Sequence, residues 1–283
     1  MKTLTIAGVP EHFNLPWHLA IEQGHFENEG IQINWIDVPE GTGKMCQMLR
    51  NGETDIAVIL TEGIVKDIVA GNPSSIVQVY VESPLLWGIH VAAGSPYQTV
   101  VDLQNSKVAI SRYGSGSHLM ACVQAQQLGW NSSQLTFTIV NTIEGAVASL
   151  NQGKADYFMW ERFMTQPLVD KGIFRRIGEC PTPWPCFVIA VRNSVLENDK
   201  ATIARLLKVI NDVTTSFKQC QGIEQILANR YQLQSTDVEQ WLAVTEWSQS
   251  NLSESTVTQI QNRLFELNLI DKKSNFTTLV TQV

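Results

Sequence analysis

One order of elements occurs twice in this 283-residue chain, and it limits the fold more than any other feature of the sequence. In the first copy, apolar periodicity predicts strands over residues 4–9, 31–38 and 55–60, separated by helices. The second copy has predicted strands at 107–111, 135–141 and 156–160, in the same order. Helical connections this short place successive strands side by side and parallel. The repeat therefore predicts an α/β chain with two similar, doubly wound lobes.

The two copies also share a short signature at the last strand of each. The first reads NGETDIAVILTE at 51–62, and the second reads QGKADYFMWE at 152–161. In both, a glycine ends a helix, an aspartate opens a strand and a glutamate stands just past the strand. Each lobe is therefore expected to present a glutamate at the carboxyl edge of its sheet.

Two long extended stretches, 76–94 and 180–193, are expected to carry the chain from one lobe to the other and back, as the two strands of a hinge. The remainder is rich in helices that would pack on the first lobe. We predict that residues 1–85 and 190–283 form lobe 1, that residues 88–185 form lobe 2, and that the hinge lies near 80–90 and 180–190. A single doubly wound domain with a helical tail is the alternative.

Composition excludes several functions. The net charge of −7 comes with no dense basic tract, so we expect no nucleic-acid partner. The longest apolar runs are strand-sized, and no membrane insertion is expected. Five scattered cysteines favour neither a disulfide framework nor a zinc site, so we predict that the protein binds no metal. We also predict a monomer. The chain as written predicts a cytoplasmic protein, or a periplasmic or extracellular one if a signal has been removed.

Ligands of open parallel sheets bind beyond the carboxyl ends of the strands, so the loops there supply the candidate binding residues. Those of lobe 1 are Asn14, Trp17, Thr42, Thr61 and Glu62. Those of lobe 2 are Arg112, Tyr113, Gly114, Ser115, Gly116, Ser117, Trp160 and Glu161. Facing lobes would bring the two sets together across a cleft.

The GSGS run at 114–117 is the strongest anion-site candidate, because glycine permits close backbone approach and a helix N-terminus favours negative charge. Its serines could equally serve only as helix caps. Glu62 and Glu161 could pair with an amine-bearing ligand. They could also be solvated rim carboxylates, or bind Arg112 within the chain.

Residues that would support catalysis are missing from the sequence. There is no GxSxG motif, and His118 beside Ser117 has no orienting acid that the sequence identifies. The chain is therefore expected to have no catalytic residue and no cofactor, although enzymatic activity stays open.

Four segments together resemble the type 2 periplasmic-binding-protein superfamily: NLPWHLAIEQGHFENEGIQI, NGETDIAV, GSGSHLMACVQAQQLGW and QGKADYFMWE. The nearest branch is the one for nitrate, sulfonates and taurine, which also contains thiamine-pyrimidine-precursor proteins. The resemblance covers roughly residues 4–213. It implies a Venus-flytrap fold with a small molecule between two lobes, in proteins that deliver solutes to ABC transporters or sense them.

The function that this resemblance implies is non-catalytic binding of a small polar or anionic ligand, sulfonate- or pyrimidine-like, in the interlobe cleft. The alternative is an enzyme of thiamine-pyrimidine-precursor biosynthesis on the same scaffold. Similar fungal synthases depend on a lysine, a histidine and a cysteine-rich iron motif. The lysine and histidine positions fall near Ile59 and Gly63, and only Cys186 corresponds to the cysteines.

Overall fold

The computed structural model describes residues 1–283, which divide into two compact units. Unit 1 contains Met1–Ser83 and Trp184–Val283, and unit 2 contains Pro84–Pro183. Each unit has one five-stranded sheet with helices packed on it. No helix combines the length and the apolar character that a membrane crossing requires.

The elements follow one another as the repeat predicted. The first segment of unit 1 contains β1 (Lys2–Gly8), α1 (Leu15–Glu22), α2 (His25–Asn28), β2 (Ile31–Asp37), α3 (Thr42–Asn51), β3 (Ile56–Leu60), α4 (Thr61–Val69) and β4 (Ser74–Val81). Unit 2 contains β5 (Leu86–Ala92), β6 (Lys107–Ile110), α5 (Gly116–Gln127), β7 (Thr136–Ile139), α6 (Ile143–Asn151), β8 (Tyr157–Glu161), α7 (Gln166–Asp170) and β9 (Phe174–Pro181). The chain returns to unit 1 with β10 (Phe187–Arg192), α8 (Asn193–Ser216), α9 (Ile223–Tyr231), α10 (Ser235–Val244), α11 (Glu254–Glu266) and α12 (Phe276–Leu279).

The sheet of unit 1 has the strand order β2-β1-β3-β10-β4. The first three strands are parallel, and β10 runs antiparallel to both of its neighbours. β3 and β4 are buried along nearly their whole length because helices cover both faces. α1 packs with α2 and α8, whereas α4 packs with α3, α11 and α12. The helices that follow β1 and β3 therefore belong to two different layers.

Unit 2 repeats this plan with the order β7-β6-β8-β5-β9, in which β5 is the antiparallel strand. α6 and α7 pack with one face of the sheet around a core that includes Ala109, Phe158 and Phe174. α5 packs against β6 and β8 and is buried over most of its length. The helix after β6, α5, and the helix after β8, α7, thus lie on opposite faces of the sheet. In unit 1 the helices after β1 and β3 diverge in the same way.

The two stretches predicted as continuous and extended are each divided into two strands. The first becomes β4 and β5, which lie in different sheets, and the second becomes β9 and β10. Pro84 stands between the members of the first pair, and Pro183 and Pro185 between those of the second. Proline supplies no N–H for a sheet ladder, so strand pairing ends at these points.

Candidate functional site

The binding position of an open α/β sheet is the crevice where connections on opposite faces diverge, outside the carboxyl ends of the strands. In unit 1 this point lies between β1 and β3, at the residues leading into α1 and α4. In unit 2 it lies between β6 and β8, at the N-terminus of α5 and the end of β8. Most of the predicted binding residues lie at these two positions.

Glu62 is in the first turn of α4, which begins directly at the end of β3. Its side chain is only 2% exposed. The indole Nε1 of Trp184 donates a hydrogen bond of 2.8 Å to one carboxyl oxygen, Oε2. The other oxygen, Oε1, is buried and accepts no hydrogen bond from another residue, while the backbone of Glu62 itself donates to the carboxyl group. Burial raises the pKa of Glu62 because it penalises the charged form, and the hydrogen bonds only partly oppose this effect.

Thr61 lies beside Glu62, but its side chain is already engaged. The hydroxyl donates to the carbonyl of Pro185 at 2.6 Å, and the backbone N–H donates to the carbonyl of Cys186 at 3.0 Å. Both bonds attach the start of α4 to the segment that leads into β10. Thr61 thus positions Glu62 and has no hydroxyl proton left for a ligand.

Asn14 lies at the start of α1 and is 1% exposed. Its Nδ2 donates to the carbonyl of Val9 at 2.8 Å, which fixes the orientation of the amide. The amide oxygen, Oδ1, is buried and has no partner. Gly8 allows this arrangement, since a Cβ at that position would lie 2.8 Å from Nδ2.

Thr42 opens α3 and contacts the start of α4. A Cβ on Gly63 would lie 2.2 Å from the methyl group of Thr42, so the absence of a side chain at Gly63 lets the two helix starts meet. The structure thus brings Thr42, Thr61 and Glu62 together in unit 1, as predicted from their positions after successive strands.

Trp17 is not placed as predicted. It is wholly buried within unit 1, where its ring lies 5.8 Å from that of Phe26, 6.0 Å from that of Trp35 and 6.1 Å from that of Tyr80. The loop that was expected to present this ring is already the first turn of α1. Trp17 is therefore a core residue, and we withdraw it from the binding set.

The N-terminus of α5 has a capped structure. Ser115 is the N-cap residue, and its hydroxyl accepts a bond from the His118 N–H and donates to the Arg112 carbonyl at 2.7 Å. The Ser117 hydroxyl is buried and accepts a bond of 3.0 Å from the Ser111 N–H. Both serines thus hold the loop in shape, as the capping alternative predicted. Gly114 takes the left-handed conformation, with φ 74°.

The other residues of this loop reach solvent. Arg112 is exposed, and Tyr113 is 61% exposed with its ring edge against His118 and Phe137. Gly116 begins the helix and is half-buried. The first N–H groups of any helix have no acceptor within that helix, so those of Gly116 and Ser117 are available at the loop.

Glu161 and Trp160 end β8. The Glu161 carboxylate accepts a hydrogen bond of 2.6 Å from the Met164 N–H and is 4% exposed, so it orders the turn after the strand. The ring of the half-buried Trp160 stacks on that of Phe158 at 5.4 Å. The two signature glutamates thus differ, because Glu62 lies in a helix and binds an indole whereas Glu161 lies in a strand and binds backbone.

Trp184 is the partner that sequence reasoning did not assign. In the sequence, 122 residues separate it from Glu62. No local pattern can predict a hydrogen bond over that distance. A buried glutamate after a strand does require a donor, and this requirement is the only signal that the sequence offers.

The His, Cys, Asp and Glu side chains form no metal-binding cluster, and two of the histidines are buried and uncharged. No three His, Cys, Asp or Glu side chains are grouped so that they could hold a metal ion. His12 and His90 are wholly buried, and burial lowers the pKa of each to about 3, so both rings are neutral at physiological pH. Within unit 2, the start of α5 offers helix N–H groups to a bound group. Within unit 1, Asn14 and Glu62 each have a buried acceptor oxygen.

Comparison with known proteins agrees with this architecture. Residues 87–180 match the family model described as Ca3427-like PBP. An Escherichia coli (strain K12) protein named "Putative aliphatic sulfonates-binding protein" is 29% identical over 160 residues, which are 55% of this chain and 47% of that protein. The chain thus matches about half the length of that curated relative.

Solved structures match over the whole chain. The Candida albicans CA3427 gene product, described as having the generic periplasmic binding protein fold, matches with a TM-score of 0.90 and 24% identity, covering 100% of this chain and 97% of that one. The alkanesulfonate-binding protein SsuA from Xanthomonas axonopodis pv. citri, bound to MOPS, matches with a TM-score of 0.84 and 17% identity, covering 100% and 99%. These matches show that the chain has the α/β fold of the periplasmic binding proteins, with one sheet in each unit, as the resemblance implied.

Proposed function

We propose that this protein binds a small anionic ligand of the sulfonate class without transforming it. The observation that carries the proposal is the capped, glycine-containing N-terminus of α5, which lies at the divergence point of its sheet. The name of the Escherichia coli relative supports a sulfonate as the acid group.

The start of α5 is suited to an oxyanion for two reasons. The partial positive charge of the helix dipole and the available N–H groups both favour a negative group at Gly116 and Ser117. The exposed Arg112 adds a full positive charge from the same loop. Because the whole chain carries a net charge of −7, anion binding has to come from such a local arrangement.

Non-catalytic binding is favoured by how the serines of this loop are used. The Ser117 hydroxyl is 1% exposed and bonded to backbone, and the Ser115 hydroxyl donates to a carbonyl. A nucleophilic serine needs its proton directed at a base. Here both hydroxyl groups maintain the loop.

Gly116→Val should weaken the binding of ethanesulfonate about tenfold, since a branched side chain would separate the acid group from the helix N–H groups. Isothermal titration calorimetry measures this change directly. The matched control is Ala148→Val, which places the same side chain on the exposed face of α6. Equal affinity in both variants would place the acid group elsewhere, and failure of sulfonates to bind the unmodified protein would refute the proposal.

A further inference from the structure

Strand β7 leaves one edge of the unit 2 sheet open. It is the outermost strand on its side and pairs with β6 alone. The Val140 N–H, just past the strand, donates to the Ile110 carbonyl of β6 at 2.9 Å. Because successive residues of a strand direct their N–H and C=O groups to opposite sides, those of Phe137 and Ile139 point away from β6. The edge therefore offers the backbone groups of two residues for pairing with a further strand.

The side chains at this edge are apolar and reach solvent. Ile139 is 50% exposed, and Phe137 is half-buried. The Phe137 ring packs against the ring of His118 at 4.7 Å and against that of the exposed Tyr113 at 5.9 Å. Phe137 and Ile139 are two residues apart, so their side chains lie on the same face of the strand. An exposed apolar edge strand is a template for pairing with another chain.

Charge distinguishes this edge from that of β2, the outermost strand of the unit 1 sheet. Residues 113–143 contain no Asp, Glu, Lys or Arg, although 17% of the chain is charged. β2, in contrast, ends at Asp37 and lies between Glu29 and Glu40 in the sequence. Two copies of that acidic edge would repel one another, whereas two copies of β7 would not.

The other two edges are covered or irregular. Along β4, the Val79 N–H donates to the Ser250 carbonyl, and the Ile76 carbonyl accepts from the Thr281 N–H. β9 carries charged side chains, among them Arg175, and its pairing with β5 shifts register. β7 is thus the edge that is open, uncharged and regular.

A second copy of this chain is the partner that such an edge fits. Two chains that each carry a net charge of −7 repel one another overall, so a contact between them needs a face without charge. Pairing about a two-fold axis is also self-complementary, because the same residues of both chains supply donors and acceptors.

We propose that β7 pairs antiparallel with β7 of a second copy, so that the five-stranded sheets of two unit 2 domains form one continuous sheet. With the two-fold axis at Thr138, Phe137 of each copy lies opposite Ile139 of the partner subunit. Each facing pair exchanges both of its backbone hydrogen bonds, and the apolar side chains of the pair meet on one face. This dimer replaces the monomer expected from the sequence, and it does not depend on the proposed ligand.

Analytical ultracentrifugation of the unmodified protein over a range of concentrations should show a dimer that increases with concentration. Ile139→Lys should raise the dissociation constant of the dimer at least about tenfold, because lysine on an edge strand opposes pairing. The matched control is Val101→Lys, which places the same charge at another apolar position of unit 2, one that is 65% exposed. It should leave the dissociation constant within about twofold.

Ile139→Pro tests the backbone contact separately. Proline keeps this position apolar but removes the N–H that faces away from β6, and edge strands tolerate proline in that orientation. The dissociation constant should again rise at least about tenfold. Circular dichroism verifies that each variant is folded.

Hydrogen exchange of the unmodified protein, followed by NMR, stays decisive if a variant does not fold. The N–H groups of Phe137 and Ile139 should exchange more slowly as the protein concentration rises, while that of Thr138, which faces β6, should change far less. A chain that stays monomeric at every concentration overturns the proposal and leaves this edge to a strand of a different protein. A dimer that forms without protecting these two N–H groups, or that survives both Ile139 substitutions, also overturns it, because the contact then lies on another face.

Discussion

Asn72→Ala is expected to lower the free energy of unfolding by about 3 kcal/mol, because it removes buried hydrogen bonds that join three elements. Asn72 is 3% exposed. Its Nδ2 donates to the Cys46 carbonyl in α3 at 3.0 Å and to the Asp67 carboxylate in α4 at 2.6 Å. Its Oδ1 accepts from the hydroxyl of Ser74, at the start of β4, at 2.8 Å. Alanine leaves these groups without their partner in the interior.

Urea denaturation followed by circular dichroism measures this loss. Asn51→Ala is the matched control, since Asn51 also donates its amide to a carboxylate, that of Glu53, but is exposed. Its effect should stay within about 0.5 kcal/mol. A similarly small effect for Asn72→Ala would mean that water forms hydrogen bonds with the partners that Asn72 no longer contacts. In that case the Asn72 side chain would not be needed to join α3, α4 and β4.

The parallel core of each sheet could be predicted from the sequence because it depends on local signals. Period-two apolar runs gave the strands, and glycines in the left-handed conformation, such as Gly52 and Gly153, end the helices before the last parallel strand of each copy. The expectation that successive strands lie side by side was right for β1 and β2 and for β6 and β7. It was wrong for the next strand of each copy, because β1 lies between β2 and β3 and β6 lies between β7 and β8. α4 begins at Thr61, directly after β3 and without a capping side chain, so the sequence carries no local signal for its start.

The candidate site could be predicted only as a set of positions. Strand ends are local features, and they located Asn14, Glu62 and the α5 loop. Hydrogen-bond partners are tertiary features, and neither the Trp184 bond to Glu62 nor the Thr61 bond to Pro185 has a local signal. The prediction that Trp17 lies in a binding loop was wrong for the same reason. It used sequence position alone, whereas three aromatic rings from other parts of the chain surround Trp17 in the structure.

Gly8 connects the fold of unit 1 to its binding position. It is the last residue of β1, and a Cβ there would lie 2.5 Å from the Trp35 ring and 2.8 Å from Asn14 Nδ2. Both neighbours are held by hydrogen bonds. The Trp35 indole donates to Asp37 at 2.8 Å, and the Asn14 amide donates to Val9.

Gly8→Ala should therefore lower the free energy of unfolding by about 2 kcal/mol, as overpacking of a buried position does. Because β1 belongs to unit 1 and the start of α5 to unit 2, the affinity for ethanesulfonate should change by less than about twofold. Thermal denaturation and calorimetry on the same preparation measure both effects.

Gly94→Ala is the control for this substitution, since a Cβ at Gly94 meets no atom within 4 Å. It should change neither the stability by more than about 0.5 kcal/mol nor the affinity for ethanesulfonate. If Gly8→Ala weakens ethanesulfonate binding as much as Gly116→Val does, the strain at Gly8 spreads beyond unit 1. If Gly8→Ala leaves stability unchanged, Trp35 and Asn14 yield to the added methyl group without cost, and the close approach at Gly8 is not what positions the amide.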